Sequence, residues 1–91
     1  MVQVIWSPRA WRDLDDIQGY VAFDKPNAAE QLAERLWEAG ESLSAFPDRG
    51  RLIASGVREL THVRPYLIRY VRFGQRVVII EVRHTARRPL S

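Results

Sequence analysis

With 91 residues, no cysteine, and 46% hydrophobic against 27% charged side chains, the chain has the balance of one folded domain with a modest core. The missing cysteines exclude a disulfide framework, a thiolate nucleophile and a cysteine-based zinc site, and two histidines, His62 and His84, are too few for a dedicated metal site, so no cofactor is expected. The formal charge of +3 hides a division: residues 1–48 carry four basic and nine acidic side chains (−5), whereas from Arg49 onward ten Arg face only Glu59 and Glu81 (+8).

Val2 to Trp6 is a short apolar run closed by Ser7-Pro8, which predicts a strand followed by a helix with Ser7 as its N-cap and Pro8 in its first turn. Ala10, Leu14, Ile17 and Val21 then recur at helical spacing, so the first helix is expected over Pro8 to Phe23. Asp13, Asp15 and Asp16 fall on or near the opposite face and read as a solvated surface. Asp24-Lys25-Pro26 interrupts the pattern, and Ala29, Leu32, Leu36, Gly40 and Leu43 mark a second helix from Pro26 to Ala45, stopped by Phe46-Pro47. So short a connection makes the two helices an antiparallel hairpin. Gly40 inside the second helix costs about 1 kcal/mol relative to Ala, which suggests a close contact there.

Asp48 to Arg51 reads as a turn and Leu52 to Val57 as a loop. Three strands then follow: Arg58 to His62, Tyr66 to Arg72 and Val77 to His84, the last two joined through Gly74 in a tight hairpin. The expected order is β-α-α-β-β-β. This is a two-layer α+β fold, a helical hairpin packed on a small, mainly antiparallel sheet with the N-terminal strand at an edge. Alternation assigns Val78, Ile80, Val82 and His84, with Ile68 and Tyr70, to the core face. The other face then holds Leu67, Arg69, Val71, Val77, Ile79, Glu81 and Arg83, a mixture of apolar and charged groups that invites a partner. Thirteen of the fourteen basic residues are Arg, whose planar fork suits phosphate or carboxylate. No run approaches the roughly 18 apolar residues of a membrane-spanning helix, and no secretory pattern opens the chain, so a cytoplasmic protein is expected.

In their order and spacing, SPRAWRDLDDIQGYV, DKPNAAEQLAERL, FPDRGR, VRELTHVRPYLIRYV and VVIIEVRHTARR resemble the RelE/ParE superfamily of toxins from bacterial type II toxin–antitoxin systems, the ParE branch above all. The likeness covers nearly the whole chain as a single toxin domain. It implies the fold argued above, a cognate antitoxin and growth inhibition when that antitoxin is lost.

The superfamily holds two chemistries. RelE-type members cut mRNA on the ribosome with basic residues, one of them an Arg that would fall near Thr61 or His62 here and is missing. ParE-type members bind and inhibit DNA gyrase and need no catalytic group. Were the protein a nuclease, His84 would be the candidate acid or base, with Arg83 or Arg87 as the cation that stabilises the phosphorane. As a binder, its contact residues for target or antitoxin would be Arg58, Arg69, Arg83, His84, Arg87 and Arg88. Glu59 and Glu81 read as ion-pair partners of the neighbouring Arg. A plain nucleic-acid module fits less well, because the strands lack the aromatic spacing of an RNA-recognition sheet.

Overall fold

The computed structural model describes residues 1–86. The elements are β1 (Gln3–Trp6), α1 (Pro8–Ala22), α2 (Pro26–Glu41), a 3-10 turn (Ser42–Ser44), β2 (Arg51–Ala54), β3 (Val57–Leu60), β4 (Tyr66–Phe73) and β5 (Arg76–His84). Among the described residues they form a five-stranded sheet in the order β1-β5-β4-β3-β2, with the helical hairpin on one face. The two-layer α+β architecture is the one expected. The meander has one strand more than the sequence suggested, because Arg51–Ala54, read as loop, pairs antiparallel with β3. Its hairpin turns at Gly56, whose φ of +71° is a left-handed conformation that a side chain would strain. Four exposed residues give too short a run to announce a strand.

α1 begins as its residues require. The Ser7 hydroxyl accepts the Ala10 amide at 3.0 Å and Pro8 occupies the first turn. Ala10, Leu14 and Ile17 are buried against the sheet, while Val21 is half-buried. α2 ends at Glu41, four residues short of the expected Ala45, and the 3-10 turn carries Leu43 into the core. Gly40 marks a close approach of α2 to the sheet. A Cβ there would collide with the Trp6 ring and lie 2.8 Å from Ile79 Cδ1. Trp6 is held by its indole N–H, which donates to the Glu41 carboxylate at 2.9 Å, and Trp11 stacks on it at 5.1 Å.

β1 runs parallel to β5, Gln3 opposite Arg76 through Trp6 opposite Ile79. Where β1 ends, α1 takes over the exposed edge of β5. Ser7 N–H donates to Ile79 O, the Ser7 hydroxyl donates to Ile80 O, and the Asp13 carboxylate accepts the Val82 N–H at 3.0 Å. Asp13 is therefore a strand-capping residue, unlike Asp15 and Asp16, which are exposed as expected. Without these groups, the backbone of β5 beyond Ile79 would lack partners on that side.

The core face of β5 differs from the simple alternation. Tyr70 pairs with Ile79 and Arg69 with Glu81, so Ile80 is an extra residue, a β-bulge that shifts the phase of the strand. Val77 and Ile79 are buried before the bulge and Val82 after it, whereas Val78 and Ile80 are only partly covered. Ile68 and Tyr70 lie in the core as expected. The Tyr70 hydroxyl donates to Pro47 O and accepts from Gly50 N–H, both at 2.8 Å, pinning the 46–50 loop to the sheet. Burial pushes its pKa above 10, so the phenol stays protonated.

Candidate interaction surface

Strand register places two sets of side chains across the face of the sheet away from the helices. The first is aliphatic: Ile5 lies opposite Val78, Val78 opposite Val71, and Val71 opposite Val57. The second is charged: Arg51 lies opposite Glu59, Glu59 opposite Arg69, and Arg69 opposite Glu81. The charged row is closed by contacts. Arg69 Nε sits 3.1 Å from Glu59 and its Nη1 3.5 Å from Glu81, Arg51 lies 4.0 Å from Glu59, and Arg9 reaches round from α1 to Glu81 at 3.3 Å. The two Glu side chains are only 12% exposed and Arg69 25%, so the central pairs are more shielded than ordinary surface bridges. Glu59 and Glu81 are ion-paired as expected, but to Arg69, Arg51 and Arg9 rather than to their chain neighbours. Val78 and Ile80 take the places on this face that alternation had given to Val77 and Ile79.

Beyond the charged row lies Arg83, opposite Leu67, which is 5% exposed. Arg83 Nε and Nη1 are buried and have no hydrogen-bond partner, the only such side-chain atoms among the described residues. His84 follows it in the chain but points the other way, onto the helix side. Its ring meets Tyr66 edge-on at 5.3 Å and its Nδ1 accepts the Ala86 N–H at 3.0 Å.

The expected binding residues thus have different duties. Arg58 donates to the carbonyls of Gly50 (2.8 Å) and Asp48 (3.3 Å) and pairs with the Asp48 carboxylate, so it braces the 46–50 loop. Arg69 belongs to the charged row. Arg83 has no internal partner, and His84 packs against Tyr66. Arg87 and Arg88 lie outside the described residues. Much of the positive half of the chain is engaged internally: Arg49 donates to the Ser42 hydroxyl, and Arg72 donates to Gly74 O and faces Asp48. Asp13 was missed by reading alone. Burial raises its pKa, opposed by the Val82 hydrogen bond and by Arg9. No group of three or more potential metal ligands occurs among the described residues, and no described helix is long and apolar enough to cross a membrane.

Comparison with known proteins agrees with this architecture. Residues 4–89 match the family model described as the ParE toxin of the type II toxin–antitoxin system parDE. The chain is 45% identical over 87 residues to "Toxin RelE2" of Caulobacter vibrioides, covering 96% of this chain and 99% of that one. It is 36% identical to "Putative toxin Y4kP" of Sinorhizobium fredii over 90% of this chain and 86% of the relative. Among solved structures, a chain of the chromosomal ParDE toxin–antitoxin system from P. aeruginosa superposes with a TM-score of 0.81 at 26% identity, covering 92% of this chain and 96% of that one. The chain therefore belongs to the ParE toxin family of the RelE/ParE superfamily.

Proposed function

We propose that the protein is the toxin of a type II pair, held inactive by a cognate antitoxin, and that it acts in the bacterial cytoplasm by binding DNA gyrase rather than by cutting RNA. The observation that carries the choice of target is the division of the candidate nuclease residues between the two faces of the sheet. His84 lies on the helix side, tied to Tyr66 and Ala86, while Arg83 belongs to the opposite face. RNA cleavage through the 2′-hydroxyl needs a proton acceptor, a proton donor and a cation around one phosphate. A binder needs only a complementary surface.

The RelE name of the Caulobacter relative favours the second reading, a ribosome-dependent mRNA endoribonuclease. One experiment separates the two. Purified toxin is added to a gyrase supercoiling assay and, in parallel, to translating ribosomes carrying a defined mRNA. The expected result is inhibited supercoiling and intact mRNA, with His84→Ala unchanged in both. Ribosome-dependent cleavage that His84→Ala lowers by about 10²- to 10⁴-fold, as loss of a general acid or base would, overturns the proposal.

A further inference from the structure

We propose that the notch between the second half of α2 and the 61–63 loop binds the terminal phosphate of a small molecule, with Arg35, Arg49 and His62 as its donors. The notch is a cavity of about 260 Å³ with buried Ala39 and Val63 at its floor and Arg35, Ser42, Arg49 and His62 around its rim. Arg35, Ala39 and Ser42 share one face of α2 and the 3-10 turn that extends it, and the 46–50 loop brings Arg49 up to them. Arg49 is set in place without a ligand. Its backbone N–H donates to Phe46 O at 3.1 Å, and its Nη1 donates to the Ser42 hydroxyl at 2.9 Å. That hydroxyl gives its own proton to Ala39 O at 2.6 Å, so it holds the guanidinium purely as an acceptor. The same contacts quiet the negative end of the helix, since Glu38 O accepts the Ser42 N–H and Ser42 O accepts the Ala45 and Phe46 N–H groups. The Arg35 and His62 side chains have no hydrogen bond or ion pair to any described residue.

The surroundings decide which anion fits. Two planar forks and an imidazole lining one space offer more donors than a two-oxygen carboxylate can use, whereas a terminal phosphate presents three oxygens. The cavity is smaller than the roughly 300–1,000 Å³ of pockets that enclose a whole drug-sized ligand, so it suits a single group. Glu38 lines the same rim, and Glu59 lines the adjoining notch of about 270 Å³ that shares Arg49 and His62. A nucleic-acid strand, with phosphates at regular intervals, would lay negative charge over both carboxylates. A terminal phosphate needs only the one position, and the rest of a small molecule can extend past Thr61 in the second notch.

Inorganic phosphate and adenosine monophosphate are the probes, acetate is the carboxylate control, and a uridine dodecamer lacking terminal phosphates is the polymer control. Each is titrated by calorimetry into the purified chain at one fixed ionic strength. Phosphate and the nucleotide should saturate with a Kd of about 1 mM or tighter, and acetate should bind at least about tenfold more weakly. Arg35→Met and Arg49→Met should each weaken phosphate about tenfold, the loss of one charge-assisted hydrogen bond. Glu38→Gln should tighten it about threefold by removing a repelling charge, a gain that no structural damage imitates. Arg76→Met, on the exposed β4–β5 hairpin end, should change it less than about twofold. Arg35 and Arg49 are exposed, so the melting temperatures should stay within about 4 °C of wild type. Should Arg49→Met lose its loop, Arg35→Met still carries the test, because that side chain holds no described residue in place. The proposal is overturned by phosphate that fails to saturate by about 10 mM, or by acetate that binds as well. Equal weakening in Arg76→Met, or dodecamer binding that falls in Arg35→Met, also overturns it. None of these readouts involves gyrase, the ribosome or an antitoxin, so this site and the choice of toxin target stand or fall separately.

Discussion

Tyr70→Phe removes one oxygen from the centre of the molecule and tests how the 46–50 loop is held. Tyr70 is fully buried, and its hydroxyl is both a donor to Pro47 O and an acceptor from Gly50 N–H at 2.8 Å. Each hydrogen bond contributes about 0.5–1.5 kcal/mol net, and a buried amide left without a partner costs about 1–3 kcal/mol. The phenylalanine ring fills the same space and creates no cavity, so the loss is polar in origin and should total about 2–4 kcal/mol. At about 4–8 °C per kcal/mol, the melting temperature should fall by at least about 8 °C. Equilibrium urea unfolding at neutral pH measures the free energy, and an unchanged m-value would confirm that only stability has moved. Gly50→Ala supplies the companion test, because its Cβ would stand 2.7 Å from Tyr70 Cε1 and 2.8 Å from the hydroxyl oxygen. The two substitutions share that oxygen, so the double variant should lose less than the sum of the single losses. A loss below about 1 kcal/mol in Tyr70→Phe would refute the reasoning, since Gly50 N–H and Pro47 O would then be satisfied without the tyrosine.

Gly40→Ala gains about 1 kcal/mol of helix propensity but drives a methyl into Trp6 and Ile79, an overpacking cost of about 1–3 kcal/mol. Thermal unfolding should show a net loss, accompanied by a change in tryptophan fluorescence as Trp6 shifts. At Asp13, Asn keeps an acceptor for Val82 N–H and Ala does not, so Asp13→Ala should cost about 1–3 kcal/mol and Asp13→Asn much less. Because burial raises the folded pKa of Asp13 above the ordinary aspartate value of 3.8, the native state holds that proton more tightly than the unfolded one. The stabilising contribution is thus present below 3.8 and lost as pH rises through the folded pKa. Unfolding across acidic pH should therefore show wild type losing ground to Asp13→Asn as pH increases. Tyr70 follows the same sign at the alkaline end: stability should fall as pH climbs past 10, with a shallower decline in Tyr70→Phe.

Much of the fold could be read where one residue has one structural meaning. Ser7-Pro8 opens α1, Pro26 opens α2, and Ile68 and Tyr70 alternate cleanly with polar Arg69. The failures share a cause, the lack of such a marker. Val77 to Ile80 is a run of four aliphatic side chains, so nothing in it betrays the extra residue at Ile80 that reverses the facing of the strand's first half. Asp13 has the same chemistry as Asp15 and Asp16, and only the end of β1 five residues short of β5's finish gives it an amide to accept. The candidate surface was legible as a composition, apolar mixed with charged. Which Arg would be neutralised internally depends on register across three strands, and that singles out Arg83 only after the bulge is known.

The parallel pairing of β1 with β5 also governs when the molecule can exist at all. Ser7 finds its hydrogen-bond acceptor 73 positions further along the chain, on the last strand to be synthesised. Until that strand emerges, β1 has no neighbour in the sheet and the amphipathic helices have only part of their platform. Long-range closure of this kind makes folding wait for the C-terminal strand, because loop entropy must be met before the pairing rewards it. A nascent chain therefore stays unable to present its finished surface until β5 has emerged. For a chain of a toxin family, that delay is an interval of latency between the start of synthesis and the completed fold.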